Sequence, residues 1–424
     1  MIKFARILFL DYICAFIVRK GLVVSKARHI IIALACSLLG VFQFAGAQTS
    51  VDGMVAKLVE AGYMDVRSYE DDTKLIFTLE NDRYKLQASG LANAIKLLSD
   101  EGFVSEDREV TIIATYYGIP EVSLTYIPAL HRWMTSYRLG DSWNKVRKEE
   151  TSGKSFGRTD LVLYPQLSLM NLIISQVYQS LWDINPTVEA HLWKGAKLSA
   201  QLKIPVYNDG YGHRESLVHP GQMGISQRFR VPFNVNLFGK ATVGMFSNSR
   251  YGAALELFYP LPNERFSLES KLGFLGLYYW EGFNLHIGRD QEFYWSFGGS
   301  YYWPMEQTQF SLKLEKFLLN DVGVKYEMTR HFRNCSIGFY AEKGFYKDTH
   351  TNGGFRFMIS LPPYGMKRFK RYPKITAGSM GMTYNANNEQ RWYKEWKTEY
   401  SDNIMSNNAF NPYYVDSEIV KLNY

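Results

Sequence analysis

The sequence predicts a mainly β protein, an antiparallel outer-membrane β-barrel of roughly 12 to 14 strands that follows a small α+β domain. Three observations predict this fold class. Apolar and polar side chains alternate along many segments, an aromatic content of 16% accompanies a mean hydropathy of only −0.22, and the N-terminus resembles an export leader. A membrane barrel has apolar side chains outside and polar ones inside, so none of its segments is hydrophobic on average.

The clearest alternation lies in residues 307–361. Segments 310–315, 322–329, 336–342 and 354–361 each place an apolar side chain at every second position, which is the period of a β-strand. Four successive strands therefore need one apolar and one polar environment, and a closed barrel in a membrane provides both. A soluble β-sandwich stays open as an alternative, because its strands also alternate.

The N-terminus predicts the compartment. Lys26 and Arg28 precede an apolar run over residues 30–44, and Ala45-Gly46-Ala47 matches an A-x-A cleavage site. We predict that residues 1–47 are a signal peptide cleaved after Ala47. As an alternative to translation from Met1, the start codon could be the one read as Val23 or Val24. Removing this leader lowers the net charge from +7 to +2. The chain therefore lacks the clustered positive charge that would indicate nucleic-acid binding.

The chain offers little for metal or catalytic chemistry. Cys14 and Cys36 belong to the leader, so Cys335 is the one cysteine of the mature chain and no intrachain disulfide can form. The histidines lack zinc-ligand spacing, and we expect no G-x-S-x-G elbow, P-loop, G-x-G-x-x-G or H-E-x-x-H motif. We predict a non-enzymatic protein without metal or cofactor. A barrel hydrolase with serine, histidine and acid brought together by the fold stays open, with His191 and His331 as candidate histidines.

The chain divides into five predicted regions. Residues 1–47 are the signal peptide, and 48–130 form a periplasmic α/β domain of order α-β-β-α-β-β with both helices over one sheet face. Residues 131–159 are polar and predict a linker. Residues 160–365 form the barrel, and 366–424 are a C-terminal extension with a possible further strand at 375–380. Polar residues 282–291 predict a long loop.

Several phrases resemble one family in order and spacing. They are Leu79-Glu80-Asn81-Asp82-Arg83-Tyr84, a helix at 90–98, Gly118-Ile119-Pro120, Tyr251-Gly252 followed by Glu256, and a closing strand at 355–362. Together they resemble the YjbH-type (GfcD-like) exopolysaccharide biosynthesis proteins over roughly residues 51–362. The resemblance implies an outer-membrane barrel that takes part in secretion or assembly of an exopolysaccharide or capsule. Gln222 stands where the family pattern has an acid.

The charges on the polar phase of the strands predict the candidate site, since charged side chains are strongly disfavoured against lipid. They either pair with one another and hold the barrel rigid, or line a wet passage for a polysaccharide in which tyrosines stack on sugars. The candidate residues are Arg228, Arg230, Glu256, Glu269, Lys271, Lys313, Glu315, Lys325, Glu327, Glu342, Arg356, Tyr294, Tyr302 and Tyr340.

The expected partners are outer-membrane lipid, a polysaccharide, and other export components that contact the periplasmic domain. No nucleic acid is expected. A sulfated or uronic-acid-rich polysaccharide would favour the Arg and Lys side chains, and a neutral one the aromatic rings. Two other functions stay open: a general outer-membrane channel, and an enzyme acting on lipid or glycan.

Overall fold

The computed structural model describes residues 50–105, 108–171, 178–231, 235–318, 320–346, 351–369, 373–385 and 395–421. The predicted signal peptide lies outside these residues. The described chain is mainly β and contains a five-stranded and a fourteen-stranded sheet. Among the described helices, none combines the length and the apolar character needed to cross a membrane.

The first eight elements form a small domain around the five-stranded sheet. They are α1 Val51–Ala61, β1 Tyr63–Glu70, β2 Lys74–Asn81, α2 Gln87–Asp100, β3 Glu109–Tyr116, β4 Ile119–Ile127, β5 Arg132–Ser136 and α3 Ser142–Val146. The strands lie in the order β1-β2-β3-β4-β5, and β2 and β3 are its one parallel pair. At the start of α1, the Ser50 hydroxyl accepts a hydrogen bond from the Gly53 N–H (3.1 Å). Gly62, with φ 101°, ends the helix.

The two helices α1 and α2 pack on one face of this sheet, and α3, which lies in the predicted linker, packs on the other. Met54 of α1 and Leu91 of α2 pack with Phe77 on one side. Val146 of α3 packs with Ile76 and Ile113 on the other side. The apolar residues of β2 are buried on both faces, so the second face also needs a cover.

The first half of the predicted linker, residues 131–159, forms a strand and a short helix in the structure. Residues 132–136 pair with β4 as the edge strand β5, and 142–146 form α3. Arg132 and Met134 of β5 are exposed. An edge strand with exposed side chains resembles a polar loop in sequence, which is why alternation did not reveal it.

The second, larger sheet follows from residue 159. Its strands are β6 Thr159–Asn171, β7 Tyr178–Trp193, β8 Ala196–Asp209, β9 His219–Arg230, β10 Phe238–Phe246, β11 Arg250–Pro260, β12 Phe266–Glu281, β13 Asn284–Trp303, β14 Thr308–Lys316, β15 Val322–His331, β16 Cys335–Gly344, β17 Asn352–Ile359, β18 Lys374–Ala377 and β19 Met380–Asn385. Short 3-10 helices occur at Pro128–Leu130, Arg214–Ser216, Pro304–Glu306 and Ser406–Asn408.

Neighbouring strands from β6 to β17 run antiparallel in sequence order. The two short strands at the end of the chain occupy the two edges of this order. β18 pairs in parallel with β6, and β19 pairs antiparallel with β17. Only Gly378 and Ser379 separate β18 from β19. The predicted loop at 282–291 is instead the extended β12–β13 hairpin, whose paired residues continue to Glu281 and Asn284.

The two faces of the large sheet differ in chemistry. The apolar face exposes large side chains along most of the strands, including Leu163, Trp182, Ile225, Val243, Leu268, Phe297, Leu312, Tyr326, Phe339 and Ile375. The polar face buries charged side chains such as Lys197, Lys240, Lys325 and Glu342. This distribution is the reverse of a soluble protein, in which charged side chains are exposed and large apolar ones are buried.

The end of the chain lies on this polar face. Residues 395–411, here the C-terminal segment, contact side chains of β8, β10, β12, β14, β15 and β17. The following helix, α4 Pro412–Lys421, then packs into the small domain, where Val415 and Ile419 join its hydrophobic core. The C-terminal extension predicted at 366–424 therefore supplies two strands, a covering segment and a helix.

Candidate functional site

One cavity of about 1540 Å³ runs along the polar face of the large sheet. Twelve of the fourteen predicted site residues line it, and Arg230 and Tyr294 do not. Strand register explains this grouping, because alternate residues of paired strands share one face. Lys240 lies opposite both Arg228 and Glu256, and Glu256 lies opposite Lys271.

The charged residues of the cavity are paired with one another. Lys240 Nζ lies 3.1 Å from Glu256 Oε2, and Lys313 Nζ lies 2.7 Å from Glu269 Oε2. Burial removes water from these groups, so each charge needs a partner of the opposite sign. The prediction that the polar-phase charges face one common space is consistent with this placement.

A second group of charges surrounds the start of the C-terminal segment. Arg356 Nη2 donates to both carboxylate oxygens of Glu395 (3.1 and 3.0 Å), and the Lys325 ammonium contacts the same carboxylate. Carboxylate oxygens of Glu315, Glu342 and Glu395 lie within 4.8 Å of one another. Lys325 and Arg356 are thus two cations that face this acidic group.

The three predicted tyrosines are buried rather than available to sugars. Tyr302 stacks between His331 and Tyr413 at centroid distances of 6.3 and 6.4 Å. Tyr340 lies beneath the cationic groups of Lys325 and Arg356, and Tyr294 lies between Arg250 and Lys316. Tyr413, which covers Tyr302, belongs to α4. The Tyr302 ring is therefore inaccessible as long as α4 packs against it.

Arg230 has a different role from the one its sequence position predicted. Its guanidinium donates to the carbonyl oxygens of Pro120 (3.1 Å) and Glu121 (3.2 Å). It therefore attaches β9 to the small domain.

Two lysines of the wall, which is the polar face of the large sheet, and two acids of the C-terminal segment were not identified from the sequence. Lys197 Nζ lies 2.8 Å from Glu399 Oε2 and 3.2 Å from Glu189 Oε2. Lys240 Nζ lies 2.7 Å from Asp402 Oδ2. Lys197 could have been found, because it alternates with Ala196 and Leu198 on the polar phase of its strand. The acids of the segment belong to no periodic pattern and gave no such signal.

An aromatic residue fixes the start of the segment. The Trp396 ring stacks on Phe246 at 5.7 Å, and Lys271 Nζ lies 3.9 Å from its centroid. A Cβ atom at Gly273 would lie 2.7 Å from the Trp396 ring. The absence of a side chain at Gly273 therefore provides the space that the indole occupies.

Ion pairs also join the small domain to the large sheet. Arg158 Nη1 donates to Glu80 Oε1 at 2.8 Å, and Arg368 makes two hydrogen bonds with Asp82 (2.9 and 3.0 Å). Burial raises the pKa of Glu80, while Arg158 opposes this shift. Both acids belong to the phrase Leu79–Tyr84, so this phrase forms part of the joint.

A serine, a histidine and an acid also meet at this joint. Residues 153–157 read Gly-Lys-Ser-Phe-Gly, so the expectation that the chain has no G-x-S-x-G pattern is wrong. Ser155 Oγ lies 2.9 Å from His191 Nδ1, but the Asp65 carboxylate accepts from Ser155 itself. A catalytic triad needs the acid to orient the histidine, and Ser155 is only 1% exposed. This geometry fits a structural joint.

His331 likewise lies in a structural setting, because its Nδ1 contacts Ser336 Oγ (2.8 Å) and its Nε2 contacts the Asn408 amide (3.0 Å).

Taken together, the polar face holds charged side chains that are buried and paired, and its three predicted tyrosine rings are covered. Among known proteins, the chain matches no family model, no curated protein and no solved structure.

Proposed function

We propose that the chain is an outer-membrane β-barrel protein that takes part in secretion or assembly of an exopolysaccharide or capsule. The observation that supports this most is the contrast between the two faces of one large sheet. Leu268, Phe297 and Leu312 are at least half exposed on one face, whereas Lys240 and Lys325 are at most 6% exposed on the other. Lipid outside and a polar lumen inside account for both faces.

Strand pairing at the edges of the sheet supports closure into a barrel. β18 and β19 follow one another in the chain, yet one pairs with the first long strand and the other with the last. β19 also lies beside β6. Closure would satisfy the backbone groups of both edges, which a membrane requires of any sheet that spans it.

Two further features support a role in polysaccharide export. The cavity along the polar face, the lumen of the proposed barrel, combines Lys, Arg and Glu with aromatic rings, which are groups suited to hydroxyls, carboxylates and sugar rings. The resemblance of 51–362 to YjbH-type proteins points to the same role. The small domain would then lie in the periplasm, where it can meet other export components.

Deletion of the gene in the native bacterium tests this proposal. We expect loss of surface polysaccharide with an unchanged lipid composition, and recovery when the full chain is restored. The protein should fractionate with the outer membrane. Unchanged surface polysaccharide in the deletion strain would contradict the export role. Altered lipid composition would favour an enzyme instead, and loss of small-solute uptake alone would favour a general channel.

A further inference from the structure

The C-terminal segment places two carboxylates on a group of wall cations. Four cationic side chains, here the cationic band, lie within five successive strands: Lys197 on β8, Arg228 on β9, Lys240 on β10 and Lys271 on β12. Glu399 pairs with Lys197 at 2.8 Å, and Asp402 pairs with Lys240 at 2.7 Å.

The wall alone does not balance the charge of this band. Two wall acids lie within ion-pair distance: Glu189 is 3.2 Å from Lys197, and Glu256 is 3.1 Å from Lys240 and 4.0 Å from Lys271. Glu121 of the small domain also faces Arg228, but Arg230 faces the same carboxylate. Glu121 and Arg230 together therefore add no net charge. Among the band cations and the wall acids within ion-pair distance of them, the cations are in excess by two charges, and Glu399 and Asp402 supply two negative charges.

Two of these cations are deeply buried, since Lys197 is 2% exposed and Lys240 is 6% exposed. Without the segment, Lys197 would keep Glu189, and Lys240 and Lys271 would share Glu256. Excess positive charge in a buried site is unfavourable, so a negatively charged group is favoured over a neutral one as a replacement for the segment.

The segment is held in a way that permits replacement. Within the described residues it forms one backbone hydrogen bond to the large sheet, from the Ser247 N–H to the Lys397 carbonyl (3.1 Å). Its other polar contacts with the wall involve side chains, such as Lys271 Nζ donating to the Trp396 carbonyl at 2.6 Å. A strand of the sheet, in contrast, is held by a backbone ladder along its whole length.

We propose that the cationic band is a binding site for an acidic polysaccharide, and that Glu399 and Asp402 occupy it as an internal substitute. The inference rests on the proposed export function, since it names the substrate class and the control of the same lumen. Carboxylates of a uronic-acid polymer match the groups they would replace in charge and in hydrogen-bond geometry. A neutral glycan would leave the excess positive charge of the band unbalanced.

Binding to the full chain in detergent tests the substrate class. Oligogalacturonate is the acidic probe, and a maltooligosaccharide of equal length is the neutral probe. Replacing Glu399→Gln and Asp402→Asn together removes the competing charges, so oligogalacturonate should bind at least about tenfold tighter than to the unmodified chain. Adding Lys240→Met to this variant should abolish the gain. The matched control is Glu149→Gln with Glu150→Gln, which removes two charges from an exposed loop.

A second measurement uses one substitution in the segment and does not depend on that double variant. With Cys335→Ser as background, Ser401→Cys places a thiol beside Lys197, where the native hydroxyl lies 3.2 Å from Nζ. Oligogalacturonate should increase labelling of this thiol by a water-soluble maleimide, because it displaces the segment. Maltooligosaccharide should leave labelling unchanged.

Equal effects of the two probes, or no effect of either on binding and labelling, would overturn the inference. The proposed export function fails separately, through unchanged surface polysaccharide after gene deletion. A strain that loses its polysaccharide on deletion, combined with a chain that binds both probes alike, would keep the export role and reject the acidic substrate.

Discussion

At the residue scale, the joint between the small domain and the large sheet depends on Arg158. Its side chain is 7% exposed and that of Glu80 is 1% exposed. Arg158→Leu leaves the Glu80 charge buried without its partner, so we expect a loss of about 3–5 kcal/mol in the free energy of unfolding. Guanidinium unfolding followed by tryptophan fluorescence measures this loss.

The matched control for Arg158 is Lys74→Met. Lys74 and Glu109 form an ion pair of similar length, 3.1 Å, but their side chains are 39% and 36% exposed. An exposed pair contributes about 0–1 kcal/mol. Equal losses for the two substitutions would show that burial does not determine the strength of the joint.

The carboxyl group of Asp416, in α4, predicts that the stability of the folded chain depends on pH. Burial raises its pKa to about 6, while the Thr135 N–H donates to its carboxylate at 3.0 Å. The folded state therefore binds the proton more tightly than the unfolded chain, in which Asp has a pKa of about 3.9. This contribution to stability is fully present below about pH 4 and is lost as the pH rises through about 6.

Asp416→Asn removes the titration and keeps an oxygen that can accept from Thr135. Between pH 4 and pH 7 the unmodified chain should lose on the order of 1–2 kcal/mol relative to the variant. Unfolding midpoints of both proteins at several pH values measure the difference. Parallel pH profiles would contradict a raised pKa at this position.

At the element scale, the junction between β18 and β19 determines whether the two edges of the sheet meet. The Gly378 N–H donates to the Leu163 carbonyl at 2.7 Å, and a Cβ atom there would lie 2.0 Å from Cδ1 of Tyr164. Gly378→Ala should therefore destabilise the folded form by about 1–3 kcal/mol through overpacking.

If the proposed barrel forms, electrophoresis without boiling separates the folded form from the unfolded chain and gives the folded fraction of the Gly378→Ala variant. Gly299→Ala is the control, because the nearest atom to its Cβ is the Ser267 carbonyl oxygen at 3.3 Å. Similar folded fractions for the two variants would indicate that close contact between β18 and β6 is not needed for assembly.

Strands were predictable from the sequence because alternation is a local property. Residues 310–315 and 322–329 show it without any knowledge of their neighbours, and both segments lie in strands that pair with each other. The 282–291 region was wrongly predicted as a loop, although Phe283, Leu285 and Ile287 alternate with polar residues or glycine. Its side chains are exposed on both faces of the hairpin, so burial did not accompany this alternation. Backbone pairing still extends that hairpin to its tip.

The C-terminal segment was not predictable in this way, because its contacts depend on residues far along the chain. Lys197 and Glu399 are separated by 202 positions, and Lys240 and Asp402 by 162. No periodic pattern marks Glu399 or Asp402. The charged wall of the candidate site could therefore be read from the sequence, but the group that covers it could not.

At the scale of the whole molecule, the charge balance of the proposed lumen predicts its ion selectivity. The C-terminal segment covers the cationic band, so the unmodified chain should conduct weakly in planar bilayers. Glu399→Gln with Asp402→Asn leaves the excess of two positive charges in the band without compensation, whether or not the segment moves. A narrow passage with uncompensated positive charge attracts anions.

Reversal potentials across a KCl gradient measure this selectivity. The double variant should shift toward chloride selectivity, and the shift should shrink as ionic strength rises, because salt screens the charges of a water-filled passage. Adding Lys240→Met and Lys271→Met removes two positive charges and should bring the reversal potential back toward zero. The exposed-loop control, Glu149→Gln with Glu150→Gln, should behave as the unmodified chain does. Selectivity for potassium in the double variant would mean that the wall acids dominate the passage, and the band could not then serve an acidic polymer.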